Sequence, residues 1–468
     1  MYSLELDRMA KLPLIRQLYN EIRQRILDGR LPEYENLPAT RKLAAHYRIS
    51  RNVVMEAYDL LRTEGFIESR QGGYTFVAPG ARLTSLPQPQ SPALPSLRPA
   101  VGVIDFRHGL PALDLFPRAA WQKTVARTMA SVPDRTLGYG DAAGCPELRS
   151  ALATYLSRTR GVTCSPEQVV VTAGATLALA LIARLLLTAN RKVIIGDPIN
   201  QDVFRYLGTL GCELIPVPLD GHGLQTALLS GHAANPPAFS LVTPSHQFPA
   251  GGLLPVQRRI QLINFARSTD SYIVEDDYEN EYAYEGNPVS SLQGLAPEKV
   301  AYVGTFSKTL APFLRLGYIV LPPGLLAAFH AEAWFATHQP SAVCQLALAS
   351  FIGTGQLKRH IAKMVKAYQA RRAVIVRELG RRFGDNCRIL SGPAGLHLTA
   401  AFDGADFSPA ILDHIERHGV RVYAVRQHVV ARDADAFADQ LILGYGSLRA
   451  EEIAVGIGRL SQALAALP

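Results

Sequence analysis

Cysteine is scarce in this sequence and is not arranged for bonding or metal binding. The five cysteines, Cys145, Cys164, Cys212, Cys344 and Cys387, are scattered, odd in number and contain no C-x-x-C pair. This spacing argues against a disulfide framework or a structural zinc site, and it favours a reducing compartment. We therefore predict no metal site.

Long hydrophobic runs are also absent. The most apolar stretch, Thr176 to Ala189, is interrupted by Arg184 and is too short to span a bilayer. The first residues, MYSLELDRMAKLPL, lack the apolar core of a signal peptide. We expect a cytoplasmic protein with no membrane partner.

Neither sign of charge dominates. The net charge of +8 is mild for 468 residues, so it permits a nucleic-acid partner without requiring one. A hydrophobic content of 48% with 19% charged residues is typical of a globular protein rather than a disordered one. The length argues for two or more folding units, although one long α/β enzyme core is an alternative.

Composition divides the chain into three zones. Residues 1–80 are charged and helical in pattern, and residues 81–104 form a spacer with five prolines, ARLTSLPQPQSPALPSLRPAVGVI. Proline-rich composition predicts a semi-rigid, extended linker between domains. Residues 105–468 alternate apolar runs with helical patterns, which predicts an α/β domain with a largely parallel sheet. The predicted strands are Val169–Thr172, Val193–Ile195, Glu213–Val217, Leu241–Thr243, Tyr272–Glu275, Val300–Gly304 and Gly317–Val320, with helices at Leu177–Leu187 and Val256–Ser268 among others.

The first 80 residues have the pattern of three helices and a hairpin. Apolar residues recur at i+4 from Leu14 to Ile26, and Ser50 stands at the N-cap position of a third helix that Gly65 ends. Phe66 to Val77 reads as a hairpin turning at Gly72-Gly73. This arrangement predicts a winged helix-turn-helix; a small helical domain with a solvated basic face is the alternative.

Residues at the start of the third helix are suited to reading DNA. In a helix-turn-helix, the N-terminal residues of the second helix of the pair meet the bases in the major groove. Here those residues are Ser50, Arg51 and Asn52, and arginine and asparagine can bond guanine and adenine bidentately. The segment LPATRKLAAHYRISRNVVMEAYDLLRTEGFIESRQGGYTFV resembles the GntR-type winged helix. The resemblance implies DNA contact by Arg41, Ser50, Arg51 and Asn52, and a double-stranded operator as partner.

Three motifs in the larger zone carry chemistry. Tyr302–Val320, YVGTFSKTLAPFLRLGYIV, places Lys308 in a loop after a strand, where a lysine can form a Schiff base with an aldehyde. Arg315 and Thr305 can then hold a phosphate; an ordinary surface lysine is the alternative. Ile273–Tyr284, IVEDDYENEYAY, ends a strand in carboxylates, where an aspartate can keep a pyridine nitrogen protonated. A divalent-metal site and a solvated acidic loop are alternatives, because both have a similar sequence pattern.

The third motif is a glycine turn that opens a helix. Val169–Leu179 reads VVVTAGATLAL, and free N–H groups at a helix N-terminus bind phosphate well. Alone this turn is weak evidence, but it gains weight beside Lys308, Asp276 and Arg315.

Together these motifs resemble the class I, fold-type I aminotransferases, and specifically the MocR/GabR regulators that fuse a GntR winged helix to that fold. FRHGLPALDLFPRAAW, LGYGDAAGCPELRSALATYL and TPSHQFPAG extend the resemblance along the chain. It implies pyridoxal 5'-phosphate as cofactor and a head-to-tail homodimer. It makes Lys308 the Schiff-base lysine and pairs Asp276 with the pyridine nitrogen and Tyr278 with the ring hydroxyl. The residues it places around the phosphate are Ala175, Thr176, Thr305, Ser307 and Arg315, and Tyr139 would contribute across the dimer interface.

The chain departs from the aminotransferase pattern at three positions. Asn200 stands where an aromatic residue usually stacks on the pyridine ring, and Phe248 where an asparagine precedes Pro-x-Gly. Ile442 aligns with the arginine that holds the substrate carboxylate. Arg205, Arg421 and Arg426 are possible substitutes that the sequence does not place.

These departures weaken the case for a fast transaminase. We therefore expect a DNA-binding sensor of an amine or amino-acid effector, or of the cofactor itself. A working aminotransferase with a DNA-binding appendage is the second hypothesis. A cofactor-free scaffold is the third, and the retained Asp276, Tyr278, Lys308 and Arg315 argue against it.

Overall fold

A computed structural model describes residues 4, 6–70, 73–82, 102–138, 140–188, 190–249, 251–284, 289–336 and 340–467. The chain divides into two compact units, Met1–Ser96 and Leu97–Pro468. The predicted linker, 81–104, lies mostly outside the described residues. The predicted boundaries of the three zones therefore stay predictions.

The smaller unit contains three helices and a two-stranded sheet. Its elements are α1 Leu14–Leu27, α2 Thr40–Tyr47, α3 Arg51–Thr63, β1 Ile67–Ser69 and β2 Thr75–Val77. The strands are antiparallel, with Ile67 opposite Val77 and Ser69 opposite Thr75. One face of each helix is buried in a shared core that includes Leu18, Ile22 and Leu61. The winged helix-turn-helix prediction is confirmed; Gly72, at the predicted turn of the wing, lies outside the described residues.

A serine cap begins α3. The Ser50 hydroxyl accepts a hydrogen bond from the Val53 N–H at 3.3 Å, which satisfies one of the donors left free at a helix start. After the helix, Gly65 adopts a left-handed φ of 78° and turns the chain into β1. The cap fixes where α3 begins, and the exposed residues Arg51 and Asn52 are the first two residues of that helix.

Replacing Ser50 tests how much the cap stabilises α3. We expect Ser50→Ala to lower the local stability of α3 by about 1 kcal/mol, because the helix loses the side-chain oxygen that accepts from the Val53 N–H. Hydrogen exchange of the full chain, followed in peptides that cover α3, measures this loss. Ser50→Asp keeps an acceptor at the cap, so it should exchange like wild type; equal protection in both variants would contradict the cap's contribution.

The larger unit is built from ten helices and fourteen strands in its described part. The helices are α4 Arg118–Ser131, α5 Pro146–Arg160, α6 Ala175–Leu186, α7 Gln201–Thr209, α8 Val256–Ser268, α9 Leu326–Ala336, α10 Ala342–Gly353, α11 Gln356–Phe383, α12 Pro409–Arg417 and α13 Ala450–Ala465. The strands are β3 Ile104–Asp105, β4 Val169–Thr172, β5 Lys192–Asp197, β6 Glu213–Asp220, β7 Gly223–Leu224, β8 Phe239–Val242, β9 Tyr272–Asp277, β10 Val300–Thr305, β11 Gly317–Val320, β12 Cys387–Ile389, β13 His397–Phe402, β14 Val420–Arg421, β15 Tyr423–Ala424 and β16 Gln440–Gly444.

Eight strands form the main sheet, in the order β4-β11-β10-β9-β8-β5-β6-β7. The five central strands from β10 to β6 run parallel, as alternating helices and strands predict. β11 runs antiparallel to both of its neighbours, a direction that the sequence pattern did not show. Its pairing brings Thr305, Gly317 and Thr172 into one row across three strands.

A second, antiparallel sheet has the order β12-β13-β16-β15, and β14 pairs with β3 in a separate two-stranded sheet. These strands belong to a core that also includes Phe106, Tyr368 and Tyr445. None of the second sheet's strands was predicted. Its central pair, β13 with β16, joins residues far apart in sequence, for example His397 opposite Gly444.

Candidate functional site

Lys308 lies in the loop that follows β10, half-buried beneath the chain near Gly109. Its Nζ donates a hydrogen bond to the Gly109 carbonyl oxygen at 2.5 Å, and its own carbonyl accepts one from the Tyr282 hydroxyl at 2.9 Å. Burial lowers the pKa of the Lys308 amine, although the carboxylates of Glu279 and Asp276 oppose that shift. A lowered pKa favours the unprotonated amine, which is the nucleophilic form.

Asp276 lies on β9, where its register partner on the parallel strand β10 is Val303. Burial and the neighbouring charge of Asp277 raise the pKa of the Asp276 carboxyl to about 7, with Lys308 acting in the opposite direction. Its Oδ1 atom is buried and has no hydrogen-bond partner in the part of the chain that the structure describes. An unpartnered carboxyl oxygen in a closed site is costly unless a ligand satisfies it.

Tyr278 follows β9 directly, and it too has a buried polar atom whose hydrogen bonding is unsatisfied. Its hydroxyl is buried and no described residue is its hydrogen-bond partner. Burial, together with the charge of Glu279, raises the pKa of the Tyr278 phenol well above its ordinary value. The phenol is therefore protonated and can donate to a ligand beside Asp276.

The glycine turn and Arg315 come together at the start of α6. Gly174 has a φ of 98°, a conformation that favours glycine, and α6 begins at the next residue with its first N–H groups uncapped by a side chain. Arg315 is exposed and donates from Nη2 to the Ala173 carbonyl at 2.8 Å. A Cβ on Gly174 would lie 3.3 Å from that guanidinium. A helix N-terminus beside an arginine suits an anion.

The other residues expected around a phosphate are placed at the same sheet edge. Ala175 and Thr176 open α6, and Thr305 ends β10. The Thr305 hydroxyl accepts from the Ser307 N–H at 3.1 Å. Sheet pairing through Gly317 thus collects segments that are more than 120 residues apart in the chain.

Asn200 and Tyr139 complete the set of residues expected around the cofactor. The Asn200 side-chain oxygen caps α7, accepting from the N–H groups of Asp202 and Val203 at 2.9 and 3.4 Å. Tyr139 lies outside the described residues. Their contact with a cofactor stays a prediction.

The sequence analysis missed a buried cluster around Glu279. The Glu279 carboxylate lies 3.0 Å from His246 Nδ1, 3.5 Å from His397 Nδ1 and accepts from the Leu396 N–H at 3.0 Å. Burial alone would raise the pKa of Glu279, but the hydrogen bond with His246 and the nearby His397 and Lys308 outweigh it and lower the pKa to about 2. The spacing of these residues, 33 and 118 positions along the chain from one another, left no local signal.

The candidate DNA-reading residues form an exposed group in the smaller unit. Arg41, Ser50, Arg51 and Asn52 are all exposed, and Arg51 Nε lies 3.5 Å from the Thr40 hydroxyl. Arg48 takes a left-handed φ of 51° in the turn between α2 and α3. The turn therefore presents the start of α3 to solvent.

Family models match both units. Residues 14–77 match the bacterial regulatory proteins of the gntR family, and residues 102–437 match aminotransferase class I and II. Among curated proteins, the chain is 34% identical to the probable rhizopine catabolism regulatory protein MocR of Rhizobium meliloti, over 99% of this chain and 96% of that protein. It is 31% identical to the pyridoxine biosynthesis transcriptional regulator PdxR of Corynebacterium glutamicum, over 92% and 91% of the two chains.

Solved structures match the larger unit. Pyrococcus horikoshii kynurenine aminotransferase, solved in complex with PMP, has a TM-score of 0.71 and 25% identity, over 78% of this chain and 91% of that one. The fold, with its winged helix, therefore defines a helix-turn-helix transcriptional regulator with an aminotransferase-like domain. More narrowly, the chain belongs to the MocR-type regulators of the GntR family. Within the described residues, no helix combines the length and apolar character needed to cross a membrane.

The raised pKa of Asp276 gives a stability test on cofactor-free protein. Because the folded pKa of about 7 lies above the unfolded value, the native state holds a proton that the unfolded state releases. Asp276 therefore costs stability as the pH rises from about 4 to about 7, by at most about 1.4 kcal/mol per pH unit. We expect Asp276→Asn to gain stability relative to wild type at pH 7 but not at pH 4.5.

Urea unfolding monitored by tryptophan fluorescence measures this difference, since both tryptophans, Trp121 and Trp334, belong to the larger unit. Asp413→Asn, an exposed position on α12, serves as the control. A stability difference between Asp276→Asn and wild type that is the same at both pH values would show that Asp276 ionises normally.

Proposed function

We propose that this regulator binds pyridoxal 5'-phosphate in its larger unit and uses the bound cofactor to sense an amine or amino-acid effector, or the cofactor itself. One observation carries the proposal: two buried polar atoms, Asp276 Oδ1 and Tyr278 OH, have no hydrogen-bond partner among the described residues, and the Asp276 carboxylate acts on the half-buried amine of Lys308. Protein interiors rarely leave such groups unsatisfied. A cofactor with a pyridine nitrogen and a ring hydroxyl supplies both missing partners.

The residues present fit that cofactor. Asp276 would pair with the pyridine nitrogen, Tyr278 with the ring hydroxyl, and Lys308 with the aldehyde carbon. Arg315 and the uncapped start of α6 would hold the phosphate, with Thr305 and Ser307 at the same edge. When bound, the cofactor supplies an electrophilic carbon that exchanges one amine for another. Solved neighbours of this fold hold PMP or a phosphopyridoxyl group, which supports the assignment.

The protein's own groups set the chemistry at Lys308. Burial lowers the pKa of the Lys308 amine and so favours its unprotonated form, while the carboxylate of Glu279, whose pKa is about 2, acts in the opposite direction. An incoming amine that takes the place of Lys308 frees that side chain. An effector shifts a conformational equilibrium only as far as it prefers one state, and release of Lys308 provides such a preference. We expect a homodimer whose two winged helices read paired half-sites.

Aminotransferase activity is the alternative, and the surroundings of Ile442 do not favour it. Ile442 is fully buried and packs with Phe248 and Val425 in an apolar cluster. Two of the arginines considered as substitutes are committed elsewhere: Arg421 pairs with Glu416, and Arg426 with two aspartates. Turnover of an amino donor with a 2-oxo acid at about 1 s⁻¹ or faster would establish the enzyme instead.

Arg51 tests the DNA-binding role. We expect Arg51→Ala to remove sequence-specific binding, since one bidentate base contact is worth about 1–3 kcal/mol of discrimination. The cofactor spectrum should be unchanged. Gel shifts at fixed salt against the operator beside the protein's own gene and a scrambled duplex give the measurement. Equal weakening on both duplexes would make Arg51 a phosphate contact, and Arg149→Ala in the larger unit is the control.

Lys308 tests the sensing role. Borohydride reduction followed by peptide mapping should place the pyridoxyl group on Lys308 and on no other lysine. We expect Lys308→Ala to bind the operator normally and to lose its response to effector in a reporter assay, because the DNA contacts lie in the smaller unit. Operator affinity and reporter output are compared with and without cofactor. A normal response in this variant would rule out the sensing role of the bound cofactor.

A further inference from the structure

A short loop, Arg107–Gly109, passes directly over the Lys308 amine. The Gly109 carbonyl accepts from Lys308 Nζ at 2.5 Å, and a Cβ on Gly109 would lie 3.2 Å from the same nitrogen. Gly109 adopts a φ of 72°, which glycine tolerates without strain. Arg107 and His108 directly precede Gly109, so they lie close to a ligand that binds at Lys308.

The backbone before this loop is firmly held. Phe106 is fully buried, its N–H donates to the Arg421 carbonyl at 3.0 Å, and its carbonyl accepts from the Gly444 N–H at 2.8 Å. A Cβ on Gly444 would lie 2.2 Å from the Arg107 carbonyl oxygen, so the close approach depends on glycine there. The loop is fixed by β14 and β16 and is a rigid platform rather than a free segment.

His108 projects from this loop into a cluster of rings. Its ring centroid lies 5.0 Å from that of Phe248 and 5.6 Å from that of His428. His108 Nδ1 is buried and has no hydrogen-bond partner among the residues that the structure describes. Burial, with the nearby His397 and His428, lowers the pKa of His108 to about 3, so the ring is neutral. A neutral imidazole with one free nitrogen beside the reactive amine can donate to, or accept from, a ligand.

Arg107, in the same loop, carries a positive charge that is not balanced by an ion pair. Among the described residues, its guanidinium has no hydrogen-bond or ion-pair partner, in contrast to Arg421 and Arg426. Its charge reaches Lys308, whose pKa it helps to lower, and it also reaches Asp105 and Tyr423. The Asp105 carboxylate accepts from the Tyr423 hydroxyl at 3.0 Å and interacts with the backbone of Arg107.

We propose that Arg107 and His108 form the subsite for an anionic group of the effector, so that the effector is a primary amine that also bears a carboxylate or a similar oxyanion. The proposal rests on the function proposed above and names the class of effector. The amine meets the site at Lys308, and the anion binds the guanidinium and the free imidazole nitrogen on the adjacent loop. The carboxylate is thus held from the loop before α4, because the strand position at Ile442 is apolar.

A matched pair of probes tests the subsite on the full, cofactor-loaded chain: 3-aminopropanoate and propylamine, which differ in the carboxylate. The change in cofactor absorbance on displacement of Lys308 gives the affinity of each. We expect wild type to bind 3-aminopropanoate about tenfold or more tightly than propylamine, as a hydrogen bond to a charged group provides. Arg107→Gln should abolish that preference, so that the variant binds the two probes with similar affinity, and Arg107→Lys should retain part of it.

Two further variants complete the comparison. His108→Phe keeps the ring packing but removes the free nitrogen, so it should reduce the preference by a smaller factor. Arg205→Gln, an exposed arginine on α7, should behave as wild type. On cofactor-free protein, propanoate alone should raise the melting temperature of wild type and not of Arg107→Gln.

The outcomes separate the two proposals. Equal affinity of wild type for the two probes, or a preference that survives in Arg107→Gln, overturns the subsite. The subsite is also overturned if the preference for 3-aminopropanoate is lost in Arg205→Gln and kept in Arg107→Gln. That result would assign the anion to α7. Absence of a lysine-bound cofactor band in wild type is instead a failure of the proposed function, and the propanoate melts then decide the subsite by themselves.

Discussion

The larger unit depends on one constraint: polar groups must be buried at the carboxyl edge of the parallel strands β9 and β10. Their pairing puts Asp276 and the loop of Lys308 at one edge, where a carboxyl oxygen and a phenol remain unsatisfied. Each such group costs about 1–3 kcal/mol when it has no partner. A protein keeps this deficit where a ligand relieves it, and the surrounding elements hold the groups in place for that ligand.

Two distant parts of the chain close this edge. The antiparallel return of β11 carries Arg315 back to the start of α6, and the loop before α4 lays Gly109 over Lys308. The second sheet contributes His397 to the carboxylate of Glu279. The site is therefore assembled from segments that both sheets position.

The two units divide the work of a regulator. The smaller one offers exposed arginine and asparagine at a capped helix start, which suits base recognition. The larger one keeps the groups proposed to hold a pyridoxal cofactor but has an apolar cluster at Ile442. The proposed Schiff-base lysine without the usual arginine for the substrate fits an effector that is bound and released more than one that is converted.

Local signals in the sequence determined the winged helix and the parallel strands, because helix caps, apolar periodicity and strand-end motifs act over a few neighbouring residues. The same kind of signal predicted the residues of the candidate cofactor site. The antiparallel direction of β11, the second sheet, the cap made by Asn200 and the pairing of Arg421 and Arg426 were not predictable in this way. The position of the loop of Arg107 and His108 over Lys308 was not predictable either. Lys308 is 199 residues away from Gly109, whose carbonyl it bonds. Only the tertiary structure decided these, because each depends on which distant backbone packs alongside, and a sequence pattern with a period of a few residues carries no information about that partner.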